Sequence, residues 1–489
     1  MSTAAFFTAD EVSLERRTEV DVETCVSTAD NEINEVYEVH RCVQWIQERK
    51  LQRVALQFPD DLMCDAVSVT SVISKAVEGQ VFILGDTSYG SCCIDEVAAQ
   101  HYNADSLIHF GRTCLSPTQR LPVLYVFGRA RVDVEDCGGK FRELFPDTSS
   151  LIVMVYDTIY SQAINTIKGA LETDYHNLVF SVLDIPSHCS ADLQGQGDCV
   201  SCQRHGSNVT KCGRTFWLPA ESSINSYSMF YIGDESLTLT NLMMTFNTNT
   251  FYSYNPSTLI GRKESVNINR KLMKRFYMIE KAKDAHIVGI VVGTLGITDY
   301  LHIINRLKDI VKKSGKKSYT FVVGKLNPAK LANFMEIDVF VLVACAENSL
   351  LDSSDFYKPI VTPYELEIAC NTERDWTADY VTDFRSLLPG GENYVAMPDT
   401  LDVQTDVSLV TGKLRTIGVT EDVAVSTAVV PRNQNLAVSE VPADTAGEYL
   451  ASRSWRGLEQ QLGETEVTRA VEGQKGIAAG YTNEPDTNI

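Results

Sequence analysis

The sequence has no long apolar run. Its longest, "HIVGIVVGTLGI" at 286–297, falls well short of the roughly 20 residues that a spanning helix needs, so no membrane partner is expected. The N-terminus, "MSTAAFFTADEVSLERR", has neither a basic n-region nor a long apolar core. No signal peptide is read there, and a cytoplasmic location is expected. Positive charge is scarce as well: 43 Lys and Arg stand against 64 Asp and Glu, a net charge of −21. That argues against a broad nucleic-acid surface and against steady attraction to anionic lipid, while suiting a basic protein partner. G-x-G-x-x-G, Walker A and G-x-S-x-G patterns are all missing, which removes the usual signals for dinucleotides, nucleoside triphosphates and serine hydrolysis.

What is present is cysteine, thirteen in 489 residues. Without export these are expected as reduced thiols or metal ligands, not disulfides. On the same ground the sequon "NVT" at 208–210 carries no glycosylation reading.

Short β-rich runs alternate with helical stretches along most of the chain. "RVALQF" (53–58), "VFILG" (81–85), "SLIHFG" (106–111) and "VLYVFG" (123–128) read as buried strands, with a helix over 60–78 opened by Asp60 or Asp61. An earlier helix is expected over 34–50, with Val39, Cys42, Val43 and Ile46 on one face. "LIVMVYD", "LVFSVLD" and "SMFYIGD" form a second series. "IVGIVVG", "YTFVVG", "VFVLVAC" and "PIVTP" form a third, reached through a long helix over 266–285. Buried strands alternating with helices predict parallel sheets covered on both faces. The expected organisation is a mobile N-terminus at 1–34 and α/β lobes at 35–145, 146–285 and 286–415. An insertion at 187–213 falls in the second lobe, and a linker at 416–448 leads to a docking segment at 449–489.

The cysteines fall in telling places. Cys92 and Cys93 follow the second strand of the first lobe, Cys114 the third, and Cys345 the third strand of the last lobe. All are at C-terminal strand ends, where α/β sheets gather ligands. Inward-facing edges would bring three thiolates together, a donor set suited to zinc or to an iron–sulfur cluster. Of the adjacent pair, Cys93 is preferred, on the expectation that Ser91 caps a helix on whose first turn Cys93 sits. Ile94, Val97 and His101 would share that helix's buried face, and Cys92 would be a packing residue. Helix phase separates the two only weakly. Cys25, Cys42, Cys64, Cys137 and Cys370 read as core. A rival group, Cys189, Cys199, Cys202 and Cys212, contains a zinc-like C-x-x-C within a polar loop. Glu365 and Glu367 read as an exposed helix pair, "KKSGKK" (312–317) as a solvated helix end, and "GTLG" (293–296) as a tight turn.

Taken together, "RVALQFPDDL", "ILGDTSYGSCCIDEVAA", "LIHFGRTCLSP", "GKKSYTFVVGKLNPAKLANF", "DVFVLVACAENSLLD", "KPIVTPYELEIAC" and "SRSWRGLE" resemble the diphthamide-biosynthesis family. The resemblance covers about 37–411 and returns at 449–481. It implies three related α/β lobes in a triangle and a 4Fe-4S cluster on Cys93, Cys114 and Cys345. It implies a heterodimer with a paralogous catalytic subunit. That complex moves a 3-amino-3-carboxypropyl group from S-adenosylmethionine to a histidine of translation elongation factor 2. Electrons arrive from a small zinc-binding carrier and a reductase. The paralogue's pattern supplies one cysteine per lobe. Here the middle lobe's third strand ends "YIGDES", with Cys114 in place of that ligand. The expected role is therefore auxiliary: assembling the dimer and helping to reduce the partner's cluster, with S-adenosylmethionine serving the partner. The alternative is a metal-free scaffold.

Overall fold

A computed structural model describes residues 27–29, 31–85, 90–185, 207–219, 222–351, 355–377, 379–398, 404–412, 414–417, 476–477 and 480–481. Three sheets built on one plan dominate residues 1–430. The first contains β1 (Arg53–Gln57), β2 (Gln80–Ile83), β3 (Ser106–Phe110) and β4 (Val123–Val126), ordered β2-β1-β3-β4 and all parallel. The second uses β5 (Ile152–Tyr156) and β6 (Leu178–Phe180). A small antiparallel sheet of β7 (Val182–Leu183), β8 (Ser207–Lys211) and β9 (Arg214–Leu218) interrupts the chain there. The second sheet then resumes with β10 (Ser228–Ile232), β11 (Phe251–Asn255) and an antiparallel edge strand, β12 (Ile260–Lys263). The third contains β13 (Ile287–Val292), β14 (Lys317–Val322), β15 (Val339–Val343) and β16 (Ile360–Val361), ordered β14-β13-β15-β16 and again parallel.

In each sheet the chain places its second strand outside the first, then crosses back to lay the third and fourth on the other side. This order leaves a crevice at the carboxyl ends of the first and third strands, where the connections diverge. β1, β3, β5, β13 and β15 are Val-, Ile- and Leu-rich and almost wholly buried, as strands covered on both faces must be. A hairpin, β17 (Gln404–Val407) with β18 (Leu414–Ile417), follows. Within residues 431–489 the described residues form one short antiparallel ladder, Gly476–Ile477 with Gly480–Tyr481. No described helix is long and apolar enough to cross a membrane.

The helices pack through the faces their spacing provides. Val39–Glu48 buries Val39, Cys42, Trp45 and Ile46. It starts later than expected because Glu38 turns left-handed (φ 46°) and separates it from a short turn at Ile33–Val36. The predicted 60–78 helix opens as a 3-10 turn, Asp60–Asp65, and becomes α-helical only at Ala66–Ala76. Neither Asp60 nor Asp61 caps it; Pro59 holds that position without a side-chain bond. Cys64, expected in the core, is exposed on this turn.

One reading of charged residues is overturned. Helix Pro363–Cys370 is buried along its whole length, and Glu365 and Glu367 lie inside it fully covered. Glu365 accepts from Arg275 Nε at 2.6 Å, from the Tyr380 hydroxyl at 2.8 Å and from the Thr362 backbone N–H at 2.8 Å, completing a capping box. Glu367 pairs with Arg306 at 2.6 Å and Arg374 at 2.9 Å. These cations come from other segments, so sequence spacing cannot display them. The run 312–317 does form a helix end and turn, with helix Tyr300–Lys313 closing through Ser314 and Gly315, and Lys312 is exposed, but Lys316 is drawn inward. Its Nζ donates to the carbonyls of Lys283 (2.7 Å) and Ala285 (2.5 Å), closing the end of the long helix Ser265–Asp284, and burial lowers its pKa.

Breaking a buried pair strands a charge, whereas removing both partners does not. Arg275→Met should destabilise the protein by about 3–5 kcal/mol, and Arg275→Met with Glu365→Leu by less. Urea unfolding followed by circular dichroism measures both.

Candidate metal centre

Gln57 ends β1, and its buried amide holds the loop after β2 in two places. It donates to the Cys93 carbonyl at 2.8 Å and accepts from the Asp95 N–H at 3.0 Å. A turn closes from the Cys93 N–H to the Gly90 carbonyl at 2.9 Å. The Cys92 carbonyl accepts from the Cys114 N–H at 3.1 Å and the Thr113 hydroxyl at 3.2 Å, tying this loop to the one after β3. These sideways bonds occupy the carbonyls that a helix through Cys93 would need. The helix therefore begins only at Glu96, capped by Asp95, not Ser91. Ile94 is buried as expected, but Val97 is half-buried and His101 exposed, and the helix buries Glu96 and Ala99. Cys93 owes its position to the Gln57 clamp.

The third sheet approaches the same point. After β15, Cys345 opens a tight turn in which the Asn348 N–H donates to the Cys345 sulfur at 3.3 Å and the Ser349 N–H to its carbonyl at 2.9 Å. Glycines permit the approach. A Cβ on Gly296, beyond β13, would strike the Ile94 carbonyl, and one on Gly90 would strike the Asn348 side-chain amide. "GTLG" is thus a contact between loops as well as a turn.

The outcome is a group of four sulfurs, Cys92, Cys93, Cys114 and Cys345, all within 4.8 Å of one another. Cys92 and Cys93 are 4.0 Å apart, Cys92 and Cys345 3.9 Å, and Cys93 and Cys114 3.9 Å. The three cysteines favoured from sequence lie here, and Cys92, read there as packing, joins them. The missed participants are Cys92, Gln57 and Asn348. A polar residue ending a buried strand was the available signal for Gln57; nothing local marks Asn348.

Burial and shared protons govern the charge. Thiol donation from Cys345, Cys92 and Cys93 holds the Cys114 pKa well below the usual thiol range, with Ser116 alongside at 3.2 Å. Donation to Cys114 correspondingly raises those of Cys92, Cys93 and Cys345. Beside them, burial and the Cys114 charge push the Glu347 carboxyl up to about 8. A soft-metal donor set is thus assembled and poor in cations. Thiolate sulfur at this spacing surrounds one tetrahedral ion, for which sulfurs would stand about 3.8 Å apart; the side chains must turn outward to surround an iron–sulfur cube. The donor chemistry fits either.

The rival group is not tested as a whole, because Cys189, Cys199 and Cys202 lie outside the described residues. Cys212 lies apart from the four, in the turn between β8 and β9, with its sulfur 3.4 Å from the Thr245 hydroxyl. The last residues of the expected insertion therefore form a strand and turn. None of the nine described cysteines is in a disulfide.

Fold and site together define an α/β protein that gathers a buried four-thiol, metal-binding type of centre at the strand ends of two sheets. Comparison with known proteins is more particular. The profile of the family described as "Putative diphthamide synthesis protein" matches residues 58–381, and the chain belongs to that family. It is 50% identical to "2-(3-amino-3-carboxypropyl)histidine synthase subunit 2" of Danio rerio over 92% of each chain. It is 47% identical to the Xenopus laevis protein of that name over 99% of each. The fold is similar to the crystal structure of Dph2 from Pyrococcus horikoshii "with 4Fe-4S cluster" at 20% identity and a TM-score of 0.52, covering 70% of this chain and 93% of that one.

Gly296→Ala should drive the Ile94 carbonyl away and cost roughly 1–3 kcal/mol, the usual range for overpacking, read as a lower melting temperature. Thiol chemistry gives a second check. Burial pushes Cys42 and Cys137 up to about 12 and Cys212 up to about 11. The thiolate is the nucleophile. Brief iodoacetamide treatment at pH 8 should therefore label exposed Cys64 well ahead of these three, in peptide mass spectrometry.

Proposed function

We propose that this chain is the iron–sulfur subunit of the enzyme complex for the first step of diphthamide biosynthesis. Cys93, Cys114 and Cys345 hold a 4Fe-4S cluster, with Cys92 as a further sulfur at its edge. The convergence of these sulfurs from two sheets is the observation that carries the reading. The relatives' name supports membership of a synthase with another subunit. The Pyrococcus neighbour, described with a 4Fe-4S cluster, supports the cluster type.

When bound, such a cluster supplies one-electron chemistry. The chain's own residues bind it, keep water away and fix the loops that carry its ligands. The partner is a paralogous catalytic subunit. It transfers the 3-amino-3-carboxypropyl group of S-adenosylmethionine to a histidine of elongation factor 2, and this chain helps to reduce it with electrons from a small zinc-binding carrier and a reductase. The lobes are read at 35–145, 146–285 and 286–415, a reading that the three sheets support. The segment at 449–489, mostly outside the described residues, is read as the docking element, and the complex as cytoplasmic.

One observation favours a second reading. Sulfur spacings of 3.9–4.0 Å match a single tetrahedral ion, zinc above all. Metal analysis of the anaerobically co-expressed heterodimer separates the two. Cys93→Ser, Cys114→Ser or Cys345→Ser in this chain alone should remove roughly half the iron, one of two expected clusters, and leave slower transfer. Zinc in place of iron establishes the second reading. Iron and activity unchanged in all three variants make the chain a metal-free scaffold.

A further inference from the structure

Asn348 stands where the loops of two sheets meet and has no part in the sulfur set itself. Its side-chain Nδ2 lies 3.6 Å from the Cys92 sulfur and 4.0 Å from that of Cys93, while its backbone N–H donates to the Cys345 sulfur at 3.3 Å. One residue of the third sheet thus directs N–H groups at sulfurs from both sheets. Gly90 makes this geometry possible, because a Cβ there would occupy the space of the Asn348 amide. The half-buried amide lies between a glycine and two thiols.

We infer that Asn348 is a positioning residue that tunes the redox poise of the metal centre, with Gly90 as the notch that admits it. The inference rests on the cluster reading above. An N–H directed at a thiolate draws off electron density and favours the more negatively charged, reduced state, so it raises the reduction potential. The backbone donor to Cys345 is fixed by the turn. The side-chain donor is the adjustable one.

The test uses the full-length chain reconstituted anaerobically with ferrous iron and sulfide, titrated with dithionite and followed by electron paramagnetic resonance. The one-electron reductant is dithionite, and the cluster is the acceptor. Asn348→Leu keeps the volume and removes the donor, and should shift the midpoint potential downward with iron content unchanged. Asn348→Asp keeps the shape and substitutes a carboxylate, and should shift it further down. Gly90→Ala displaces the amide from the other side, and should reproduce the direction seen with Asn348→Leu. Iron-loaded variants whose potentials equal that of the wild type overturn the inference. If Asn348→Leu fails to retain iron, the near-isosteric Asn348→Asp decides by the same criterion. Wild-type chain that takes up no iron overturns the cluster reading itself, and this inference with it.

Discussion

Everything at the metal centre depends on two loops passing closer than side chains would allow. Gly296 of the third sheet lies against the Ile94 carbonyl of the first, and Gly90 of the first lies against the Asn348 amide of the third. Each sheet thus supplies the glycine at which the other approaches. The first contact is backbone against backbone, so no rotamer change can relieve a Cβ there. Only through this reciprocal fit does Cys345 come within 3.9 Å of Cys92. The Gln57 amide and the Thr113 hydroxyl then hold the cysteine loop from the sheet side.

Crowding four thiols in a buried space has an electrostatic consequence. Several thiolates in a low-dielectric site without a counter-charge repel one another, so protons are retained and shared. The lowered Cys114 and the raised Cys92, Cys93 and Cys345 express that single shared charge. Burial, with the Cys114 charge beside it, raises the Glu347 carboxyl as well. Such a site favours a cationic occupant, whose arrival releases the protons and removes the repulsion.

Strands and cysteine positions were legible in the sequence because both are local properties. A strand buried on both faces must be an apolar run, and a cysteine just beyond it must lie at the ligand edge. That Cys92 joins Cys93 was not legible, because it depends on which carbonyls the Gln57 and Thr113 side chains engage. Buried Glu365 and Glu367 were misread for a related reason. Their partners Arg275 and Arg306 are far away in sequence, and a charged residue looks the same paired in the core as free in water.

The middle sheet shows how a repeated plan yields an asymmetric site. All three sheets share one strand order, which offers three equivalent positions beyond the third strand. Cys114 and Cys345 occupy two of them. The third, beyond β10, reads Gly233, Asp234, Glu235 and Ser236 and holds no cysteine. The sheet contributes through charge instead. Buried Asp157, just beyond β5, holds Arg112 at 3.0 Å, and Arg112 stands two residues before Cys114. Arg214 of the small inserted sheet bonds the Tyr156 carbonyl at 3.0 Å and the Cys212 carbonyl at 3.1 Å, fixing the same edge. The middle sheet thus gives no sulfur of its own and anchors the loop that carries one from its neighbour, while the doubled cysteine after β2 makes up the number.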